Sequence, residues 1–367
     1  MVSARGDALP PLRATSLVRP SDLQEFGAWS RRSIPDVSRV AEHVWSIPVP
    51  APGLPIRYTL CYAVRRAKSW VVVDPGLSSP QGWDALVEGL SRAGATMTSV
   101  RGIVGTHAHP DHVGQVGRLQ ELTGAWFALG DGEVIPVRDG ADAAARDDAL
   151  LRAWGVPDGL RDALNTYRSP EAIASVVPPV DIFLQDGDVL PDVGLITVST
   201  PGHTPGHVCF IDERSDAVFT GDHVLPRISP HVSVWTDGLT DPLKRYRASL
   251  RHLLSRPASL VLPGHEYRFE GLSQRVEELD HALIRRNAEV AAVAHESEAT
   301  DVWGLAPLIR WSRGWDSLHG LTRRLALSEC ASHVEYANGV NAMTGRIATR
   351  PRSEAGQRDA LLSRDGS

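Results

Sequence analysis

Hydrophobic and polar positions alternate along the middle of the chain in a pattern that predicts β-strands. Apolar runs rich in β-branched and aromatic residues cover 44–49, 58–64 and 69–76. The third run is mostly apolar, as expected for a strand that is buried on both faces. Before these runs, residues 1–38 are polar and contain prolines, so we predict a loose arm with one short helix at 21–33 that Ser21 caps.

Helical spacing alternates with strand patterns in the next part of the chain. Residues 82–93 place Trp83, Leu86 and Leu90 on one helical face, 100–104 read as a strand, and 114–123 as a helix. Residues 131–180 are charged and alanine-rich, which predicts a helical insertion with a further helix at 170–177. The insertion either covers a site or packs only for stability, and the pattern leaves both alternatives open.

The second half of the chain repeats the strand pattern and then becomes helical. We predict a hairpin at 183–190 and strands at 195–198, before Gly221, and at 260–262. The sequence after residue 271 predicts helices at 272–294, 302–311 and 318–337 and a turn or hairpin at 339–346. The charged end of the chain predicts disorder. Strands mixed with helices in this way indicate an α/β fold.

Composition excludes some classes of protein. The 367 residues carry a net charge of −6 and contain no apolar stretch long enough for a secretory signal or a membrane-spanning helix. Three well-separated cysteines indicate a reducing compartment, so we expect a cytoplasmic protein without a membrane partner. The acidic balance gives no reason to expect nucleic acid as a partner.

The most distinctive stretch is 105–112, which places three histidines and one aspartate within six residues after an apolar run. His107 and His109 lie two apart, so they point the same way from extended backbone. Pro110 bends the chain, which lets Asp111 and His112 turn back over them. Imidazole and carboxylate are ligands that Zn²⁺ accepts.

Three further candidate ligands follow, each where a short apolar run ends in a loop with glycine. His203 and His265 each lie in a Pro-Gly-His sequence, and Asp222 follows Gly221. Loops at the ends of strands on a rigid sheet are where catalytic groups collect. The set therefore predicts a metal centre.

Taken in this order, the H-x-H-x-D-H motif, Pro-Gly-His, Gly-Asp and the second Pro-Gly-His resemble the metallo-β-lactamase fold superfamily, over about residues 40–270. The resemblance implies an αββα sandwich with two metal ions. It assigns one ion to His107, His109 and His203, and the other to Asp111, His112 and His265, with Asp222 as the bridge. The implied cofactor is two Zn²⁺ per chain, although iron fits a similar ligand set.

The resemblance and the change in composition divide the chain into four parts. These are an arm at 1–38, a catalytic domain at 39–270 with the insertion at 131–180, a small helical domain at 271–346 and a tail at 347–367. The small domain resembles the winged-helix appendage of a superfamily subgroup that includes endoribonucleases and acyl-carrier-protein thioesterases. It has eight Arg, no Lys and ten acidic residues, so we expect it to pack, form a homodimer or shape the substrate site rather than bind nucleic acid.

The implied activity is hydrolysis by a hydroxide held between two zinc ions, since metal binding lowers the pKa of water from ~16 toward ~7. Asp111 is the candidate catalytic residue, because it would receive or orient a proton while binding one zinc. A thiolate leaves without a strong general acid, so the expected substrate is an acyl thioester of CoA or of a carrier protein. The alternatives are an endoribonuclease or phosphodiesterase and a lactone hydrolase.

Five more residues are candidates for supporting or substrate-binding roles. Asp74 ends a strand and is expected to orient a metal-binding histidine. His207 is expected to be structural or to support a ligand. His223, Arg227 and His231 lie in the loop after Asp222, where they either contact substrate or tie the loop down.

Overall fold

The computed structural model of the chain describes residues 18–133, 140–165, 178–234 and 240–338. These residues form two β-sheets with helices on their outer faces. The first sheet has seven strands in chain order: β2 (Ser38–Ala41), β3 (Val44–Pro50), β4 (Tyr58–Arg66), β5 (Ser69–Val73), β6 (Val100–Val104), β7 (Trp126–Gly130) and β8 (Ile182–Leu184). The second has six strands in the spatial order β1 (Arg19–Pro20), β13 (Phe269–Glu270), β12 (Leu260–Pro263), β11 (Ala217–Gly221), β10 (Val208–Asp212) and β9 (Ile196–Ser199).

The helices of the described ranges lie between and after these strands. They are α1 (Leu23–Ser30), α2 (Pro80–Ala93), α3 (Pro110–Val113), α4 (Val116–Thr123), α5 (Gly140–Ala153), α6 (Asp158–Leu164), α7 (Pro242–Leu254), α8 (Leu272–Glu296), α9 (Val302–Leu305) and α10 (Gly320–Asn338). No helix within the described ranges is long and apolar enough to cross a membrane.

Strand β5 shows how the two sheets pack. Trp70 and Val72 enter the apolar cluster under α2 and α4, whereas Val71 and Val73 enter the cluster that the two sheets share. This follows because successive side chains of a strand lie on opposite faces. A third cluster joins the second sheet to α7 and α8. The layers are helix, sheet, sheet and helix, which confirms the predicted α/β sandwich.

A fourth apolar cluster joins the insertion to the C-terminal helices, and we call α5, α6, α9, α10 and the end of α8 the helical module. Leu151 and Trp154 pack there against Leu327 of α10. Arg324 of α10 donates a hydrogen bond of 2.8 Å to Asp147 of α5, and both side chains are fully buried. The described residues 140–165 of the insertion therefore pack against the C-terminal helices, and whether the insertion also covers a site stays a prediction.

Several predicted elements differ from the structure. Asp22, not Ser21, caps α1, because its carboxylate accepts hydrogen bonds from the backbone N–H groups of Gln24 and Glu25. The prediction of a loose arm is wrong for residues 18–38, since β1 pairs with β13 and Phe26 of α1 packs on Tyr267. The hairpin at 183–190 is wrong, because β8 pairs with β7 while Val189 bridges to Ile196 in the other sheet.

Other helices are shorter than predicted, or were not predicted at all. The helix expected at 302–311 is shorter in the structure, because α9 ends at Leu305. A 3-10 turn at Ala306–Leu308, which contains a proline, follows it. Strands β7 and β10 and helix α7 were missed. The predicted elements at 170–177 and 339–346, and the tail at 347–367, lie outside the described residues, so the winged-helix prediction stays a prediction.

The buried ion pair in the helical module generates a stability prediction. Arg324→Met removes a fully buried positive charge that lies 2.8 Å from the Asp147 carboxylate, so we expect a loss of about 3–5 kcal/mol in the free energy of unfolding, measured by urea titration. The control is Arg152→Met, which removes an exposed partner of Asp148 and should cost less than about 1 kcal/mol. Equal losses in the two variants would show that the buried ion pair contributes no more to stability than the exposed one.

Candidate metal centre

The candidate ligands lie in four loops that follow strands of both sheets. His107 and His109 follow β6, and Asp111 and His112 lie on the short helix α3 that Pro110 begins. His203 follows β9, Asp222 follows β11 and His265 follows β12. The backbone N–H of Val208 donates to the carbonyl of Thr106 at 2.9 Å, which fixes the loops of the two sheets against each other.

The first group of candidate ligands contains His107, His109 and His203. Nε2 of His107 lies 2.9 Å from Nδ1 of His109 and 3.3 Å from Nε2 of His203, and the last two atoms are 3.1 Å apart. Neighbouring ligand atoms of a tetrahedral zinc ion lie about 3.3 Å apart, given Zn–N bonds of about 2.0–2.1 Å. Three imidazole nitrogens at these separations match the ligand set of a zinc ion.

The second group contains Asp111, His112 and His265. The ring Nε2 atoms of His112 and His265 are 3.3 Å apart, and Oδ2 of Asp111 lies 3.2 Å from Nε2 of His265. The structure thus brings the residues together in the two groups that the resemblance implies, and their role as ligands stays a prediction.

Asp222 lies between the two groups and presents one oxygen to each. Oδ2 is 3.7 Å from Nε2 of His203, while Oδ1 is 3.3 Å from Nε2 of His265 and 3.5 Å from Nε2 of His112. Oδ1 is buried and faces the rings of His112 and His265. A carboxylate with one oxygen toward each of two sets of imidazole and carboxylate donors fits a pair of bridged metal ions.

Hydrogen bonds on the far side of each ring orient the histidines. Asp74 Oδ2 lies 2.8 Å from Nδ1 of His112, and the same carboxylate accepts hydrogen bonds from the N–H and hydroxyl of Thr106. This is the geometry in which a carboxylate turns Nε2 of a histidine toward a metal. His203 and His265 present Nδ1 to the backbone carbonyls of His231 and Tyr58, at 2.7 and 3.2 Å.

Glu133 supports the site and was missed in the sequence. Its Oε1 accepts hydrogen bonds from the Thr204 hydroxyl and from the Gly206 N–H, and its Oε2 accepts one from the Ala108 N–H at 3.1 Å. The side chain is buried and joins the loop of His107 and His109 to the loop of His203. Its only sequence signal is an acidic residue next to Gly132 after an apolar run.

Burial and charge set the two groups apart electrostatically. Burial and, to a smaller extent, the neighbouring imidazoles lower the pKa of His109 to about 3 and that of His107 well below its usual value. Burial also lowers the pKa of His265, but Asp222 and Asp111 outweigh it and raise that pKa to about 10. Asp74 and Asp222 likewise outweigh burial and raise the pKa of His112. These shifts favour the neutral form of the three imidazoles in the first group and the protonated form of His112 and His265 in the second.

The remaining candidates surround these groups in different ways. His207 is fully buried, stacks 5.2 Å from the His107 ring and places Nδ1 2.8 Å from the Thr200 hydroxyl, as expected of a supporting residue. His223 is also fully buried, with its ring centre 5.0 Å from that of Tyr246. Its role as a substrate contact or as a residue that ties the loop down stays a prediction.

Arg227 and His231 lie nearer the surface. Arg227 is exposed, and its guanidinium stacks 5.0 Å from the centre of the Trp29 ring. His231 is partly exposed and contributes its backbone carbonyl to His203. Residues 108–111 are likewise partly exposed.

Known proteins match this chain in sequence and in structure. The family model described as metallo-beta-lactamase superfamily matches residues 54–265. An atrochrysone carboxyl ACP thioesterase of Aspergillus fumigatus is 33% identical over 38% of this chain, and a thioesterase of Emericella nidulans is 24% identical over 66%. The chain spans 45% and 56% of the lengths of these two relatives.

A solved structure agrees over most of the chain. A beta-lactamase domain protein from Burkholderia ambifaria is 28% identical, with a TM-score of 0.69, and the match covers 82% of this chain and 88% of that one. The match to this solved structure extends beyond residues 54–265, because it covers a larger share of the chain than those residues make up.

Asp74→Asn tests the orientation of His112. The amide replaces a carboxylate oxygen that faces Nδ1 of His112, so we expect about a 10- to 100-fold loss of zinc affinity with the fold retained. The measurement is competition with a coloured chelator, and circular dichroism checks the fold. Asp84→Asn, on the exposed side of α2, serves as the control. An Asp74→Asn protein with unchanged affinity would contradict the role of Asp74.

The two groups are expected to differ in proton release. His112 and His265 hold protons in the metal-free protein because their pKa values are raised, so zinc must displace these protons at pH 7. As the pH falls, protons compete more strongly, and the second group is expected to lose metal first. Calorimetry in buffers of different ionisation heat, on His203→Ala and His265→Ala proteins, measures each group separately. Equal proton release from both variants would contradict the difference.

Proposed function

The chain belongs to the metallo-β-lactamase superfamily, and we propose that it is a binuclear zinc-dependent hydrolase of acyl thioesters. One observation carries the proposal: the two groups of histidine and aspartate side chains converge, with one oxygen of Asp222 facing each group. In this proposal His107, His109 and His203 hold one zinc ion, Asp111, His112 and His265 hold the other, and Asp222 bridges them. When bound, the zinc ions supply an activated water near neutral pH and a Lewis acid for the substrate carbonyl.

Asp111 is the proposed catalytic residue because its carboxylate is ionised and is partly exposed to solvent. The positive charges on His112 and His265 outweigh burial and hold the pKa of its carboxyl below the usual range, so the group is ionised at pH 7. Its side chain is 15% exposed, whereas those of His112 and His265 are at most 4% exposed. In the proposal, this partly exposed carboxylate orients a water proton or receives it while it binds one zinc ion. The Thr59 hydroxyl donates to the Asp111 carbonyl at 2.8 Å and keeps the residue in place.

The proposed substrate is an acyl thioester of CoA or of a carrier protein. A thiolate is a weak base and leaves without a proton donor, so the reaction needs only proton acceptance and stabilisation of the developing oxyanion. The two fungal relatives whose names contain "thioesterase" support this choice of bond. In the proposal, substrate enters between residues 108–111 and the loop of Arg227 and His231.

The test begins with the zinc content of the purified protein and continues with thiol release from short, long and aromatic acyl-CoAs. We expect two zinc ions per chain and a rate that depends on acyl length. Removal of zinc with a chelator should abolish thiol release, and added zinc should restore it. Asp111→Ala is expected to lower kcat by about 10²- to 10⁴-fold, because the proton acceptor is lost. Asp84→Ala, in which an exposed carboxylate is removed, should match the unmodified protein.

Two other outcomes would redirect the proposal. Two zinc ions without thiol release would contradict the thioesterase and favour the phosphodiester or lactone alternatives, which the same protein sample can test directly. Iron in place of zinc, with redox activity, would contradict the hydrolase.

A further inference from the structure

A surface on the helical module takes no part in the candidate metal centre. Its members combine indole rings with guanidinium groups, and we call it the Trp–Arg surface: Trp303, Trp311, Trp315, Arg310, Arg313 and Arg323. The Trp315 ring centre lies 5.8 Å from that of Trp303 and 6.4 Å from that of Trp311. The Arg323 guanidinium lies 5.1 Å from the centre of the Trp315 ring. The three rings are each partly exposed.

Hydrogen bonds hold this surface rigid. The indole N–H of Trp311 donates to the carbonyl of Ala306 at 2.7 Å, and Arg286 stacks 4.6 Å from the same ring. Arg286 also donates to the carbonyl of Arg310 at 2.7 Å, and the Ser317 hydroxyl donates to the carbonyl of Arg313 at 2.7 Å. A surface that is already ordered loses little entropy when a partner binds.

The surface is positively charged on an acidic chain. Residues 306–323 contain three arginines and one aspartate, whereas the whole chain has a net charge of −6. Arg310 and Arg313 are exposed, and neither side chain forms an ion pair with any described residue. Glu289 and Glu329 both contact Arg286, and Asp316 is the one acidic residue within 306–323. The charge of Arg310 and Arg313 is thus available to an acidic partner.

Apolar side chains extend the surface. Leu308 and Leu321 are 54% and 53% exposed. A groove of about 220 Å³ adjoins Arg323 and is lined by Leu160, Leu164 and His319. Tryptophan and arginine are enriched where proteins bind each other, and large exposed apolar residues near them mark such a site.

The same helix that carries Arg323 also contacts His231, which lies beside the candidate ligand His203. Ser328 lies five residues further along α10, which is about 7.5 Å along the helix axis. Its hydroxyl is 3.4 Å from Nε2 of His231, whose carbonyl accepts the hydrogen bond from His203. A partner on the Trp–Arg surface would therefore sit beside the part of the module that contacts the candidate metal site.

We propose that the Trp–Arg surface docks an acidic acyl-carrier protein that delivers the thioester to the metal centre, an inference that rests on the proposed thioesterase function. Exposed arginines around flat apolar rings favour a protein surface over a single nucleotide, because charges on a solvated rim guide association between proteins. The carrier protein's negative side chains pair with Arg310 and Arg313, and its apolar side chains pack on Trp315 and Leu321.

The experiment compares two forms of one substrate. The acyl group that gives the fastest thiol release from CoA is loaded on a purified bacterial acyl-carrier protein, and both thioesters are assayed with the unmodified enzyme and with Arg310→Glu/Arg313→Glu. We expect KM for the acyl-carrier protein to rise about tenfold in the double variant, with kcat and all acyl-CoA constants unchanged. Added salt should raise the same KM in the unmodified enzyme but not in the variant. Arg101→Glu/Arg256→Glu, the same charge change at two exposed positions elsewhere, is the control.

Three results would overturn the docking proposal. The first is an unchanged KM for the acyl-carrier protein, including a case in which only the oligomeric state changes and the surface joins two copies of the chain. The second is an equal rise in KM for acyl-CoA, which would assign the arginines to CoA phosphates. The third is an equal rise in the control. Failure of the proposed function looks different: neither thioester is hydrolysed, while titration calorimetry with the acyl-carrier protein still tests docking.

Discussion

The structure depends on holding several metal-binding groups together in its interior. Five imidazoles and two carboxylates converge there, and burial penalises the charged form of each of them. Such a set is stable only where opposite charges and hydrogen bonds compensate the lost solvent. The carboxylate of Asp222 compensates on both sides, and Asp74 does so behind His112. The strands and loops around them act as a frame that fixes these side chains before a metal ion arrives.

The frame also depends on glycines at which the backbone lies close to the side chains of the candidate site. A Cβ atom on Gly264 would lie 2.7 Å from the His112 ring and 2.8 Å from Oδ1 of Asp222, so only glycine fits at this position. Gly221 has a φ of +47°, and a Cβ there would meet Thr106. The glycines next to Asp222 and His265 therefore belong to the site as much as the ligands do.

Much of this arrangement was predictable because its signals are local. Ligand spacing in 105–112 and the Pro-Gly-His sequences identified the candidate ligands, and alternation identified strands such as β5. Glu133 was missed because its role comes from contacts with Thr204 and Gly206, about seventy residues away in the chain. Helix α7 did carry a signal, since Leu243, Tyr246, Leu250 and Leu253 are spaced for one helical face, but it was overlooked. The burial of His223 behind Tyr246 had no sequence signal, because it depends on how α7 packs on the second sheet.

The ion pair between Asp147 and Arg324 has a consequence for how such a protein changes over evolutionary time. The two residues are 177 positions apart and both are fully buried, so loss of one charge breaks a buried ion pair. A substitution at one of the two positions is therefore expected to be destabilising unless the other position changes with it. If the insertion is exchanged between relatives, we expect the C-terminal segment to be exchanged with it. The helical module, rather than either segment alone, is then the part that is inherited together.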